Sequence, residues 1–561
     1  MSAPQPEAAE HFTPKLVSAL REGYSATQFR ADVIAGLTVA IVALPLSMAI
    51  AIASHVTPDR GLFTAIIGGF LISALGGSRY QIGGPAGAFI VLVASVVDRH
   101  GLDGVLLAGM MAGVIMFAIG ALKLGTYIKY VPHPVTVGFT AGIAVIIFSS
   151  QIKDLLGLTL SGPEPGPIVE KLGALWAAIS TLNPQAVAVA GGAIALIAVL
   201  RKMKPHWPGF LIAVTLAAVA AYALHLNVET INSRFGGLPR TLPAPALPAF
   251  SFEKARALLP DAFAFAMLGA IESLLSAVVA DSMTGRRHRS NMELVAQGVA
   301  NIATSIFGGI VATGTIARTA TNVRAGAKTP ISGMLHSVFV LLFMAVAAPL
   351  AGYIPLAALA GILAIVSWNM AEKDEFRELL TASRSDALIL LLTFLLTVFI
   401  GLTEGIVVGV TLGSLIFMHR MAQAIDIKTQ HHSSAGEEDA FASNVAMARD
   451  VVVHRITGAF FFGASGAVSS VIERISEPPK AFVLDMSEVP FVDYSAAHAL
   501  KGFIRKAQSH KSRVFLTGAS KAVRRDLIRF GIKKPLVNYG HSIDDCIAAV
   551  RGGHEIAVHD D

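Results

Sequence analysis

Two ionisable residues stand where charge is costly. Glu272 lies in DAFAFAMLGAIESLLSAVVAD, 11 residues after Asp261. At about 1.5 Å rise per residue that is ~16 Å into an apolar run, near the middle of a ~30 Å hydrocarbon core. Arg318 stands one turn into a second, shorter apolar segment near 315–325. Charges at such depth face a cavity or a partner. Glu272 suits a proton carrier, and Arg318 suits a source of positive potential for an anion. The alternative is a Glu272–Arg318 ion pair that only ties two segments together.

Glycine-rich breaks supply the rest of the chemistry. SRYQIGGPAG (78–87) and FGGIVATGTIA (307–317) interrupt apolar runs. A helix that starts at such a break exposes its first N–H groups, which carry about half a positive charge. Unpaired backbone at membrane depth is tolerated only where it lines a cavity. Two such ends aimed at each other make an anion site. Pro85, Ala86, Gly87 and Ala88 form one expected wall. Gly314, Thr315, Ile316 and Ala317 form the other, with Arg318 beside them.

The elements that hold these residues follow from composition. Of 561 residues, 15% are charged, against about a quarter in soluble domains. The mean hydropathy is +0.63. The apolar excess runs from about Ala31 to Met421, and the flanks read as soluble sequence. About 14 apolar runs are candidate spans. A polar, Pro-rich loop at 225–258 divides them seven and seven, so the second half enters the membrane inverted. The short, interrupted runs near 86–98 and 315–325 are the third of each half. Matched interruptions of this kind point to an inverted-repeat transporter.

The expected fold is an all-α polytopic membrane domain with 14 spans as a 7+7 inverted repeat. Half-helices stand at spans three and ten, and a small α/β domain follows. The expected divisions are a cytoplasmic segment 1–30, a membrane domain 31–425, a linker 426–445 and a cytoplasmic domain 446–561. No signal peptide is read at the N-terminus. Basic clusters at 201–204 and 286–289, with Lys123, Lys129, His419 and Arg420, place both termini inside by the positive-inside rule. The net charge of +6 reads as basic cytoplasmic loops rather than nucleic-acid binding. Cys546 is the sole cysteine, so no intrachain disulfide forms.

The motifs resemble those of the SulP (sulfate permease) family over nearly the whole chain. The matching stretches are LPLSMAIAIAS (44–54), GGSRYQIGGPAGAF (76–89), LGAIESLLSAVVADSMTG (268–285) and GGIVATGTIARTATNVRAGAKTPISG (308–333). The resemblance implies a core and a gate subdomain, a dimer in a bacterial inner membrane, and an anion held between spans three and ten. Ser47 and Ile50 of span one would join the substrate site. Glu272 would match the family's span-eight carboxylate and serve, with Ser276, the coupling ion, a proton or sodium. Within the family the likeness is greatest to the enterobacterial aerobic C4-dicarboxylate permeases, on AMLGAIESLL, IAR, NVRAGA and Leu46. Ala86 stands where many members have Thr, and Ile50 where some have an aromatic.

Beyond about Ala446 the pattern changes. VVVHRI (451–456), AFVLDM (481–486) and RVFLTG (513–518) read as buried strands. Helices are expected near 464–476, 495–509 and 520–530, giving a parallel sheet. The stretch LDMSEVPFVDYSAAHAL (484–500) resembles a STAS domain, a module that binds cytoplasmic partners. There Ser495 matches a serine that can be phosphorylated, while helix capping by Asp493 or Ser495 is the simpler reading.

No complete Walker A loop, metal-ligand spacing or placed Ser/His/Asp set is present, so the sequence offers no enzyme site, cofactor or metal site. The leading expectation is proton-coupled uptake of C4-dicarboxylates such as succinate, fumarate or aspartate. The alternatives are sulfate or bicarbonate transport with protons or sodium, and a membrane scaffold acting through the STAS domain.

Overall fold

The computed structural model describes residues 12–552, apart from 129–131, 163, 205–206, 424–425, 431–450 and 462–478. It divides into two compact units, Met1–Thr411 and Leu412–Asp561.

The first unit is helical. Its early elements are α1 (Ala26–Ala53), α2 (Pro58–Leu75), strand β1 (Gly83–Gly84) and α3 (Gly87–Ala121). Next come α4 (His133–Leu156), α5 (Pro184–Met203), α6 (Gly209–Ala223) and α7 (Phe252–Thr284). After them stand α8 (Ser290–Ile306), strand β2 (Thr313–Gly314), α9 (Ile316–Arg324) and α10 (Ile331–Ala351). Then come α11 (Leu356–Met370) and α12 (Arg384–Phe399), and α13 (Leu402–Gln423) runs on into the second unit. Among the described residues, nine helical runs are long and apolar enough to cross a membrane. The 15-residue α6 is apolar but shorter. The expected third and fourth spans form one helical run, broken where Gly101 takes a φ of +69°.

The start of α1 has a local cause. Ser25 accepts a hydrogen bond from the Gln28 N–H, and the Gln28 side chain accepts one from the Ser25 N–H, a capping box. The helices fall into two groups. One holds α1, α2, α3, α7, α8, α9 and α10 and the other α4, α5, α6, α11 and α12, with α1 also touching α6 and α11. Close packing uses glycine. A Cβ on Gly298 would lie 2.6 Å from the Gly113 carbonyl, so α3 and α8 meet backbone to backbone.

A repeat is visible in matched residues of the two halves. One constant shift in numbering carries Asp32 onto Asp261, Ser47 onto Ser276 and Arg99 onto Lys328. In the first half Asp32 accepts from the Lys328 N–H at 2.7 Å; in its mate, Asp261 accepts from Arg99 Nη2 at 2.7 Å. The same shift carries Ala43 onto Glu272 and Phe89 onto Arg318. Both charges of interest therefore belong to the second half, where the first carries apolar residues.

The second unit is a five-stranded sheet, β3 (Asp426–Gln430), β4 (Val451–Thr457), β5 (Ala481–Glu488), β6 (Arg513–Thr517) and β7 (Asn538–Tyr539), in that order. β3 is antiparallel to β4 and the rest are parallel. Helices α14 (Tyr494–Ser509), α15 (Lys521–Arg529) and α16 (Ile543–Gly552) pack on it. The expected strands and two of the expected helices form. Residues 426–430, read from sequence as linker, are a strand instead. The expected helix at 464–476 and the rest of the expected linker, 431–445, lie outside the described residues. Asp493 caps α14 by accepting from the Ala496 N–H at 2.8 Å, and Ser495 is exposed.

Candidate functional site

Two very short strands create the site. β1 and β2 pair antiparallel, Gly83 opposite Gly314 and Gly84 opposite Thr313. The Thr315 N–H donates to the Ile82 carbonyl at 3.0 Å and extends the ladder. Antiparallel strands send the chain away in opposite directions. α3 starts at Gly87, just past β1, and α9 starts at Ile316, just past β2. Their N-termini therefore face each other across the ladder. Neither end has a side-chain cap. α9 is nine residues long, about 13.5 Å, and cannot span a bilayer by itself.

Arg318 is drawn over this meeting point. It is 1% exposed. Its Nη2 donates to Ser47 Oγ at 3.1 Å and to the Pro85 carbonyl at 3.3 Å. Nε and Nη1 are buried with no hydrogen-bond partner. Buried donors without partners are costly, most of all on a charged group. A Cβ on Gly84 would collide with Nη1, so a glycine is needed beneath the guanidinium.

Glu272 comes from α7. Its residue is half-buried, and Oε2 is enclosed without a partner. Among the described residues no ion pair joins it to Arg318, although the two are within electrostatic reach. Ser276, one turn on, is fully buried and donates to Thr319 Oγ1 at 3.0 Å. It ties α7 to α9 and makes no bond to Glu272.

The other expected residues divide. Ser47, Pro85, Gly314, Thr315 and Arg318 come together around the ladder. Ala86 and Ala88 are buried beside it, at 3% and 4% exposure, and Gly87 is half-buried with the Met370 sulfur nearby. Ile316 and Ala317 are exposed, so open space reaches the first turn of α9. Ile50 is 2% exposed within the apolar core and offers no polar contact.

Three residues were not singled out from sequence. Gln81 Nε2 donates to Ser273 Oγ at 2.7 Å, and its Oε1 is buried without a partner. A Cβ on Gly314 would collide with that amide. His336, fully buried in α10, has no partner on either ring nitrogen. Glu293 accepts from the Gly77 N–H at 2.8 Å, the Ser78 N–H at 3.1 Å and Gln297 Nε2 at 3.1 Å. Gln81 lay inside a quoted Gly-rich stretch, and Glu293 is a carboxylate in an apolar run. Those were the available signals.

Comparison with known proteins places this geometry. Residues 29–393 match the model of the sulfate permease family, and residues 443–545 match the STAS domain. The protein named "Putative sulfate transporter YvdB" of Bacillus subtilis (strain 168) is 41% identical over 521 residues, covering 91% of this chain and 95% of that one. The bicarbonate transporter BicA of Picosynechococcus sp. is 31% identical over 520 residues, covering 90% and 91%. The inward-facing structure of the murine Slc26a9 anion transporter superposes with a TM-score of 0.85 at 19% identity, over 98% of this chain and 96% of that one. That likeness concerns the fold.

Proposed function

Because the chain belongs to the sulfate permease family, we propose that it imports a small oxyanion, sulfate before bicarbonate, together with a proton carried by Glu272. The observation that carries the reading is the unpartnered guanidinium edge of Arg318 between two uncapped helix ends. Each helix end contributes about half a positive charge and Arg318 a full one, so the site offers about +2. With Glu272 protonated, that balances a dianion such as sulfate. With Glu272 ionised, it falls to about +1 and balances a monoanion such as bicarbonate. An anion arriving beside Arg318 takes up its positive potential and favours a proton on Glu272. Proton and dianion then enter together.

The relatives' names, sulfate and bicarbonate transporters, favour these ions over the C4-dicarboxylates suggested by the motifs. The same reading places the protein in a bacterial inner membrane, both termini cytoplasmic, as a homodimer. Counterflow in proteoliposomes with labelled sulfate, bicarbonate and succinate tests the substrate. Sulfate exchange is expected to be fastest. Succinate exchange with no sulfate or bicarbonate exchange would overturn the reading.

A further inference from the structure

A long stretch of the second unit is almost free of acids and rich in basic residues. From Tyr494 to Lys534 there are eleven Lys and Arg and one acid, Asp526. The acids that offset this run lie in the flanking stretches of the same unit, before Tyr494 and after Lys534.

The fold gathers much of that charge on one surface. α14 and α15 cover the same face of the sheet: Leu500, Phe503 and Leu527 share a core with Phe482, Leu484 and Leu516. The opposite face packs Val483 and Phe515 against Cys546 of α16. One contact ties the start of α14 to the end of α15, and another ties the end of α14 to the segment that follows α15. Tyr494 meets Phe530 edge to face, with ring centres 5.7 Å apart, and Gln508 Nε2 donates to the Leu536 carbonyl at 2.9 Å. Burying the apolar sides turns the basic sides outward. Arg505, Lys506, Arg525, Arg529, Lys533 and Lys534 are all exposed. At the edge of this field large apolar side chains also stand in the open: Phe491 at 49%, Tyr494 at 64% and Ile528 at 41% exposure.

We propose that the outer face of α14 and α15 docks on the anionic lipid surface of the membrane that carries the protein. Clustered Lys and Arg are drawn to the negative cytoplasmic leaflet, and aromatic and aliphatic side chains beside them enter the headgroup region. The domain is covalently tied to a membrane helix, so lipid is always at high local concentration. An acidic protein would satisfy the charge but gives no account of the exposed Phe491, Tyr494 and Ile528. The proposal rests on the cytoplasmic placement of this domain.

The full-length protein carries its own labelling site. Gly502 is exposed on α14, and a Cβ there meets no atom within 4 Å. The only native thiol, Cys546, is buried. A fluorophore on Gly502→Cys is read by energy transfer to an acceptor lipid in proteoliposomes of neutral phosphatidylcholine, with or without phosphatidylglycerol. Transfer is expected to rise with the anionic lipid and fall in high salt. Joint Arg505→Glu, Lys506→Glu, Arg525→Glu and Arg529→Glu replacement is expected to abolish that rise while uptake activity reports an intact fold. Equal transfer in neutral and anionic vesicles would overturn the proposal and leave an acidic protein as the occupant. So would a rise that survives charge reversal. Both leaflets of such vesicles carry the same lipid, so this result does not depend on sidedness. An impermeant thiol reagent applied to whole cells reports sidedness separately.

Discussion

Arg318 and Glu272 share a buried neighbourhood without forming an ion pair. The guanidinium reaches instead across 271 residues of sequence to the Ser47 hydroxyl, at 3.1 Å, and leaves two nitrogens unused. The Glu272 Oε2 is likewise unused. A purely structural pair would close both valences. Two open ones, of opposite sign and within reach of each other, suit a site that takes up an anion and a proton.

The first prediction concerns the guanidinium. A charge-assisted hydrogen bond contributes about 1.5–3 kcal/mol, so Arg318→Ala is expected to weaken anion binding about 10- to 100-fold. Equilibrium binding of labelled sulfate to detergent-purified protein measures this, with thermal unfolding as a check on the fold. Unchanged affinity would make the arginine structural.

The second separates two glycines of the ladder region. Any side chain at Gly314 collides with the Gln81 amide, while a Cβ at Gly87 comes only within 3.1 Å of the flexible Met370 sulfur. Gly314→Ala is expected to abolish binding, and Gly87→Ala to reduce it modestly. Equal effects would mean that crowding by Gln81 is not what fixes Gly314.

Those glycines show how far the sequence reaches. Gly and Pro mark breaks in apolar runs, so both interrupted segments and their matched positions were legible. The ladder between Gly83 and Gly314 was not, because two-residue strands leave no period to read. The bond of Arg318 to Ser47 was equally hidden, since it depends on how α1 packs against α9. In the second unit, alternating apolar runs announced β4, β5 and β6. Asp426–Gln430 is polar and reads as linker, yet it forms β3 by pairing with β4. The basic run from Lys501 to Lys534 was readable, and only the fold could place Arg505, Lys506, Arg525 and Arg529 on one face.

A third prediction fixes topology. A cysteine replacing Asn232 is expected to react with an impermeant reagent applied outside cells, and one replacing Lys202 is expected not to. Both positions are exposed. The reverse pattern would overturn the seven-plus-seven inverted arrangement.

A fourth concerns Cys546. Burial, aided by the nearby Asp545 carboxylate, pushes its thiol up to about 11. The thiolate is the reactive form, and at neutral pH a shift of about two units from the ordinary value leaves roughly a hundredfold less of it. Maleimide labelling at neutral pH is expected to be negligible in the folded protein and fast in denaturant. Its rate in the folded state should climb as pH approaches the raised value. Rapid labelling of the folded protein at neutral pH would show that the thiol is not enclosed by α16 and the sheet.

The central claim is that Glu272 carries the coupling proton, and one comparison tests it most directly. Proteoliposomes bearing wild-type protein or Glu272→Gln are given labelled sulfate under an inward pH gradient without sodium, and internal label is followed past equilibrium. Counterflow in the same vesicles reports binding and translocation alone. Gln keeps the size and polarity of the side chain and removes its titrating proton. The account predicts that the variant retains counterflow but no longer accumulates sulfate above the external concentration, while wild type does so without sodium. Full pH-driven accumulation by Glu272→Gln, or a strict sodium requirement in wild type, would contradict it.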